Sequence, residues 1–145
     1  MVCLGNICRS PLAEGVLKSK LSSTHFRIDS AGTESFHIGK PPDYRSIKIA
    51  ANHGIDISLQ KARPFQLEDF NLFDKIYVMD RNNLKVIEQL AETSEQRDKV
   101  SLILENEEVP DPYYGHESDF KMVFRILDNA CDKIKFDFIT QHNVG

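Results

Sequence analysis

The sequence predicts an α/β protein in which helices cover both faces of a parallel sheet. Short β-like apolar runs alternate with helical stretches along the chain, and the first and last helical stretches each carry one apolar stripe. No repeat, low-complexity tract or linker interrupts the 145 residues, so one domain spanning 1–145 is expected. That length buries a core without staples. A hydrophobic share of 41% against 28% charged residues is that of a folded chain rather than a disordered one.

The elements follow in order. After Met1-Val2-Cys3, Ser10 reads as a cap and Pro11 as the first helical position. Leu12, Ala13, Val16, Leu17 and Leu21 then recur at helical spacing and face a core. Phe26 to Ser30 reads as a strand ending in Gly32. Pro41-Pro42 opens a helix through Ile47 and Ala51, which His53-Gly54 closes. Lys75 to Asp80 is a short apolar strand, followed by a helix from about Asn83 to Leu90. Val100 to Leu104 is another strand. The last helix runs from about Ser118 to Phe138, with Phe120, Val123, Phe124, Leu127, Cys131 and Ile134 on one face. In such sheets ligands bind beyond the carboxyl ends of the strands, so the chemistry is sought in the loops there.

Composition excludes several function classes. With 18 Lys+Arg against 22 Asp+Glu, the net charge of −4 argues against a general nucleic-acid binder. No apolar run approaches the ~18 residues of a membrane span, and the first residues lack the charged-then-apolar pattern of a secretion signal. Three cysteines make no disulfide framework, so the expected compartment is the reducing cytoplasm. The five histidines show no metal-ligand spacing, and no metal or cofactor is expected.

Cys3-Leu4-Gly5-Asn6-Ile7-Cys8-Arg9-Ser10 carries the strongest signal. A cysteine, five residues, then Arg and Ser is the spacing of a phosphate cradle around a sulfur nucleophile. A loop of that length running into a helix N-terminus can turn its N–H groups toward one anion. The helix dipole and Arg9 both favour negative charge on the Cys3 sulfur. Arg9 offers a planar fork for two phosphoryl oxygens, and Ser10 can donate its hydroxyl to the sulfur. Gly5 and Asn6 are the residues best able to take left-handed conformations in so tight a loop. The competing reading is a buried cysteine pair at a strand–helix turn. Far along the chain, Asp111-Pro112-Tyr113-Tyr114 offers an acid for a leaving phenol and two aromatics for an apolar wall. Taken alone it reads as a turn.

Together, Cys3 to Ser10 and Asp111 to Tyr114 resemble the low-molecular-weight protein tyrosine phosphatases. The likeness continues through Asp29-Ser30-Ala31-Gly32-Thr33, Ile38 to Arg45, His53-Gly54-Ile55, Met79-Asp80 and Ser118-Asp119-Phe120. It implies a four-stranded parallel sheet in a three-layer α/β/α arrangement and metal-free hydrolysis of phosphotyrosine and aryl phosphates through a phosphocysteine. By this resemblance Cys3 is the nucleophile, and Arg9 with the backbone amides of Leu4, Gly5, Asn6, Ile7, Cys8 and Ser10 grips the phosphate. Asp111 is the general acid and then the base for water, and Asn6 holds the loop's shape. Leu4, Phe36, Tyr113 and Tyr114 line the substrate pocket. The implied partners are a phosphotyrosine-containing protein and phosphate or a similar oxyanion. An aromatic-rimmed pocket fits a monomer or a weak homo-oligomer.

Two features depart from the family's pattern. Only Met1 and Val2 precede Cys3, where relatives have a longer apolar strand, so the natural chain is expected to begin upstream. Gln60 stands where many relatives carry a histidine that supports the phosphate loop. Relatives with a cysteine at the position of Cys8 can form a reversible disulfide with the nucleophile, which makes Cys8 a redox partner; the other reading is a small core residue. Cys131 reads as core, His53 as a helix-end residue, Asp80 as structural, and Asp43 as organising its own helix start and neighbouring loops. Within the same fold, the alternatives are an arsenate reductase, which needs further redox cysteines, and a phosphoarginine phosphatase, which tends to carry threonine where Ile7 stands. A phosphate-binding module without turnover is the alternative from another class.

Overall fold

The computed structural model describes residues 1–142. Four parallel strands form one sheet in the order β2-β1-β3-β4, where β1 is Val2–Cys3, β2 Ala31–Gly32, β3 Ile76–Val78 and β4 Val100–Leu102. Val2 lies opposite Ala31 on one side and Val78 on the other, and Ile76, Tyr77 and Val78 face Val100, Ser101 and Leu102. The helices are α1 (Arg9–Lys20), α2 (Tyr44–Asn52), α3 (Asp69–Leu72), α4 (Arg81–Leu90), α5 (Ser94–Asp98) and α6 (Glu117–His142).

Strand alternation divides the core into two layers. Val2, Ile76, Val78, Val100 and Leu102 pack with Phe70 and Ile87 on one face. Cys3, Met79 and Ile103 point the other way, into a cluster with Leu12, Val16, Ile49, Val123 and Leu127. The apolar stripes read from α1 and α6 are buried as expected, which gives the three-layer α/β/α arrangement. Among the described residues no helix is long and apolar enough to cross a membrane.

Several boundaries differ from the sequence reading. Phe26 to Ser30 is not a strand: β1 pairs with Ala31 and Gly32, while Phe26 and Ile28 pack against the core without a ladder. The first helix starts at Arg9, two residues before Pro11, and Ser10 is not its cap. Pro11 still falls within the first turn, where a missing N–H costs nothing. The second helix begins at Tyr44 rather than at the prolines, because the Asp43 side chain accepts from the Arg45 N–H and caps it. His53 and Gly54, the latter at φ +77°, end it as expected.

The order β2-β1-β3-β4 reverses direction between β1 and β3, and the site lies at the carboxyl ends of those two strands. A separate cavity of about 640 Å³ opens at the opposite end of the sheet, between Phe26, Ile28, Phe73 and Tyr77.

Candidate active site

The loop from Cys3 to Ser10 links β1 directly to α1 and curls around the Cys3 sulfur. Its fold depends on Asn6, whose φ of +56° places it in the left-handed region. Asparagine tolerates that backbone better than most side chains, and here its amide is fully used. Nδ2 donates to Ser10 Oγ (2.7 Å) and Ser30 Oγ (3.0 Å), and Oδ1 accepts from the Arg63 N–H (3.0 Å). Ser30 Oγ in turn donates to Glu14 Oε1 at 2.6 Å. Gly5, paired with Asn6 in the sequence reading, keeps an ordinary φ. Its lack of a side chain serves space instead, since a Cβ there would come within 3.1 Å of the His37 ring. Gly32 was not singled out for the site, yet a Cβ at that position would lie 2.9 Å from the Leu4 carbonyl and 3.2 Å from the Asn6 N. Only glycine lets β2 approach the loop so closely.

Cys3 Sγ lies 3.0 Å from Ser10 Oγ and accepts from the Asn6 N–H at 3.3 Å. Ser10 Oγ accepts from Asn6, and its own proton has the sulfur at 3.0 Å and the Ala31 carbonyl at 3.5 Å within reach, the sulfur being the nearer. No side chain caps α1, so its first N–H groups are left to an anion. Arg9 is buried, at 2% exposure, and its charge is matched. Nη1 donates to Asp80 Oδ2 (2.8 Å) and to the Val109 carbonyl (2.9 Å), and Nη2 stands 3.7 Å from Asp111 Oδ2. Asp80 also caps α4 through the Asn83 N–H, a structural place consistent with its sequence reading.

Asp111 follows β4 on an exposed loop. Its Oδ1 accepts from the Tyr113 N–H at 3.1 Å, and its side chain is 42% exposed. The structure thus brings Cys3, Arg9 and Asp111 together from opposite ends of the chain. The four pocket candidates, Leu4, Phe36, Tyr113 and Tyr114, are all exposed on loops after strands. Tyr113 and Tyr114 meet edge to face at 4.9 Å, and Phe36 meets His37 at 6.3 Å.

Cys3, Cys8 and Cys131 are free thiols. Burial pushes the Cys8 thiol far above its ordinary range, and the negative charges of Asp43, Cys3 and Asp111 push it further. Cys131 is core, as expected; its thiol donates to the Ala13 carbonyl at 3.8 Å and burial pushes it up to about 12. His53 stacks on Phe124 with ring centres 4.1 Å apart. Gln60 Nε2 reaches the Pro11 carbonyl at 3.1 Å, so it supports the first turn of α1, just beyond the phosphate loop. Arg45, Ser30 and Arg63, which hold the two loops, were missed as site residues. The Asp43-x-Arg45 spacing at a helix start was the available signal for the first. Among the described residues no group of three or more His, Cys, Asp or Glu side chains is arranged to hold a metal ion.

A thiol held by the Ser10 hydroxyl and the Asn6 N–H, a buried guanidinium at the end of the same loop and a carboxyl group 3.7 Å from that guanidinium form the layout of a cysteine-dependent phosphatase. The comparison with known proteins is specific: residues 1–142 match the profile described as "Low molecular weight phosphotyrosine protein phosphatase", and the chain belongs to that family. The human protein of that name is 39% identical over 140 residues, covering 90% of this chain and 88% of the human one. A protein tyrosine phosphatase from Entamoeba histolytica, solved with Hepes in its active site, superposes with a TM-score of 0.88 at 35% identity, covering 99% of this chain and 96% of its own. Vibrio vulnificus Wzb, solved with benzylphosphonate, gives 0.85 at 29% identity over 94% of each chain. The family's members are metal-independent hydrolases that work through a phosphocysteine.

Proposed function

We propose that this chain dephosphorylates phosphotyrosine in proteins, with Cys3 as nucleophile, Arg9 as phosphate clamp and Asp111 as acid and base. The observation that carries the reading is the convergence of donors on Cys3 Sγ, with the carboxyl group of Asp111 3.7 Å from Arg9. Nη1 of Arg9 is committed to Asp80 and Val109, so the edge carrying Nε and Nη2 grips two phosphoryl oxygens while the loop amides from Leu4 to Ser10 hold the rest. The Cys3 thiolate attacks phosphorus and the P–O bond to the aryl group breaks. Asp111 gives its proton to the departing phenolate oxygen. Asp111, now a carboxylate, takes a proton from water as that water attacks phosphorus. The S–P bond then breaks, its electron pair returns to sulfur, and inorganic phosphate leaves. Ser10 stabilises the thiolate at both ends of the cycle, and Leu4, Phe36, Tyr113 and Tyr114 flank the aryl ring.

The test is hydrolysis of an aryl phosphate in the presence of EDTA, comparing the intact chain with Cys3→Ser, alongside mass spectrometry of an acid-quenched reaction. Turnover lost with Cys3→Ser and a phosphoenzyme on Cys3 are expected. Turnover surviving in Cys3→Ser would sink the assignment. An arsenate reductase would need further redox cysteines from the second half of the chain, and the cysteine there, Cys131, is instead buried against Ala13. Activity on a phosphoarginine peptide exceeding that on phosphotyrosine would shift the substrate.

The same reading treats residues 1–145 as one cytoplasmic domain, monomeric or weakly self-associating. Cys8 acts as a redox partner: a Cys3 sulfenic acid, formed by peroxide, would be attacked by Cys8 sulfur with loss of water to give a disulfide. Peroxide inactivation should then be reversed by dithiothreitol in the intact chain. In Cys8→Ser it should become irreversible.

A further inference from the structure

Two loops that chemistry must keep at a fixed separation are tied together by one pair of side chains outside the reacting set. On the phosphate-loop side, the Asp43 N–H donates to the Ile7 carbonyl at 2.8 Å. The Asp43 carboxylate then receives Arg45 twice, Nε at 3.0 Å and Nη2 at 3.1 Å. On the other side, Arg45 Nη2 donates to the Tyr113 carbonyl at 2.8 Å and Nη1 to the Gly115 carbonyl at 3.3 Å. The guanidinium lies 4.4 Å from the centre of the buried Phe120 ring and 5.8 Å from that of Tyr113. All three nitrogens of the fork are therefore used, between Ile7's neighbour in space and the segment that carries Asp111.

We propose that Arg45, held by Asp43, is a positioning residue that sets the acid loop against the phosphate loop and so fixes where the Asp111 carboxyl group stands over the leaving oxygen. The physical need is plain from the rest of that loop. Asp111 is on an exposed segment whose own bonds are local: Tyr113 N–H to Asp111 and Gly115 N–H to the Pro112 carbonyl. Arg9 fixes the loop's entry at Val109, and Arg45 fixes its exit at Tyr113 and Gly115. A carboxyl group that must deliver a proton within hydrogen-bond reach needs both ends of its loop held. The Asp43 carboxylate also neutralises Arg45, so this second guanidinium does not compete with Arg9 for the phosphate. Burial alone would raise the Asp43 carboxyl, but the hydrogen bonds from Arg45 bring it below its ordinary range and keep it charged. Lysine could not replace Arg45, because it lacks the planar fork that serves a carboxylate and two carbonyls together.

The proposal rests on the assignment of Asp111 as general acid, and the test separates the two. Hydrolysis rates are measured for a set of aryl phosphates from nitrophenol to unsubstituted phenol, in the intact chain, Arg45→Lys, Arg45→Met, Asp111→Asn and Asp111→Asn/Arg45→Met. Circular dichroism and inorganic phosphate inhibition are followed for each. Arg45→Met and Arg45→Lys should lose about 10- to 100-fold in kcat/KM, which reports the steps up to departure of the phenol, on phenyl phosphate and much less on the nitrophenyl ester, with the phosphate inhibition constant unchanged. In the Asp111→Asn background Arg45→Met should cost nothing further on phenyl phosphate. A loss in kcat/KM equal for every leaving group, or a weakened phosphate inhibition, would place Arg45's effect on the phosphate loop and overturn the proposal. A full additional loss in the double variant would overturn it too. If Asp111→Asn itself showed no dependence on the leaving group, the acid assignment would fail first. If Arg45→Met does not fold, the Arg45→Lys series decides alone, because it keeps the charge and the ring contact.

Discussion

The two loops that form the site are built in opposite ways. In the phosphate loop Asn6, Arg9 and Ser10 are buried, and the polar side-chain atoms carry partners: the Asn6 amide, the Ser10 hydroxyl and Arg9 Nη1 are all bonded. In the acid loop Asp111 is 42% exposed, and Tyr114 is almost entirely in solvent at 94%. The difference follows the charges each loop handles. An oxyanion is best stabilised by donors that need no reorganisation when it forms, so the cradle is rigid and dry. In the proposed cycle the acid meets a ring that enters and leaves, which fits an open loop held at Val109 by Arg9 and at Tyr113 and Gly115 by Arg45. Substitutions in the first loop should therefore cost stability and activity together, and those in the second should cost activity with little loss of stability.

The sharpest break is Cys3→Ser, which should reduce turnover to background while phosphate still binds; equilibrium dialysis or calorimetry with inorganic phosphate checks the second half. Next, Asp111→Asn should lower kcat by about 10²–10⁴ for a poor leaving group while changing stability by less than about 0.5 kcal/mol, as expected of an exposed side chain. A large drop in thermal stability would show that the acid loop is as integral as the cradle. Asn6→Ala removes three side-chain hydrogen bonds and strands buried partners, so unfolding should become easier by about 1–3 kcal/mol, with activity falling alongside. Denaturant titration measures it, and an unchanged midpoint would contradict the rigidity argument.

The cradle should also be sensitive to alkali. Because folding raises the Cys8 thiol above its ordinary value of 9.0, the folded state holds that proton more tightly than the unfolded one. Its stabilising contribution is fully present below about pH 9 and is lost as pH rises past it, by at most about 1.4 kcal/mol per pH unit. Melting temperatures of the intact chain and Cys8→Ser between pH 7 and 10.5 test this, with the variant expected to fall less steeply. The smallest effect belongs to Tyr114→Ala, which should leave stability within about 0.5 kcal/mol and act on KM for aryl substrates; a shifted unfolding midpoint would show that the exposed ring is structural.

Much of the fold was legible because its signals are local. The apolar stripes of α1 and α6 and the run at Ile76–Val78 need only periodicity, and they sit where the sequence placed them. The short α5 was legible in principle: Thr93 and Gln96 form a reciprocal cap whose spacing is visible in the chain, but no apolar stripe drew attention to it. The shift of β2 from Phe26–Ser30 to Ala31–Gly32 was not legible, because a strand is defined by the partner opposite it.

The site divides along the same line. By itself the sequence determined the chemistry: a cysteine, an arginine and a serine at cradle spacing, and an Asp-Pro-Tyr-Tyr segment that gained meaning only alongside it. Those are choices of functional group within one loop, and spacing along the chain is enough to express them. Only the tertiary structure decided which groups hold those loops in place. Asp80, Val109, Ser30, Arg63, Gly32 and the Asp43–Arg45 pair lie between 24 and 100 residues from the atoms they hold, or act through a close approach of two backbones. Such contacts exist only once the parallel sheet has brought the carboxyl ends of β1, β3 and β4 to one edge, where distance in space no longer follows distance along the chain.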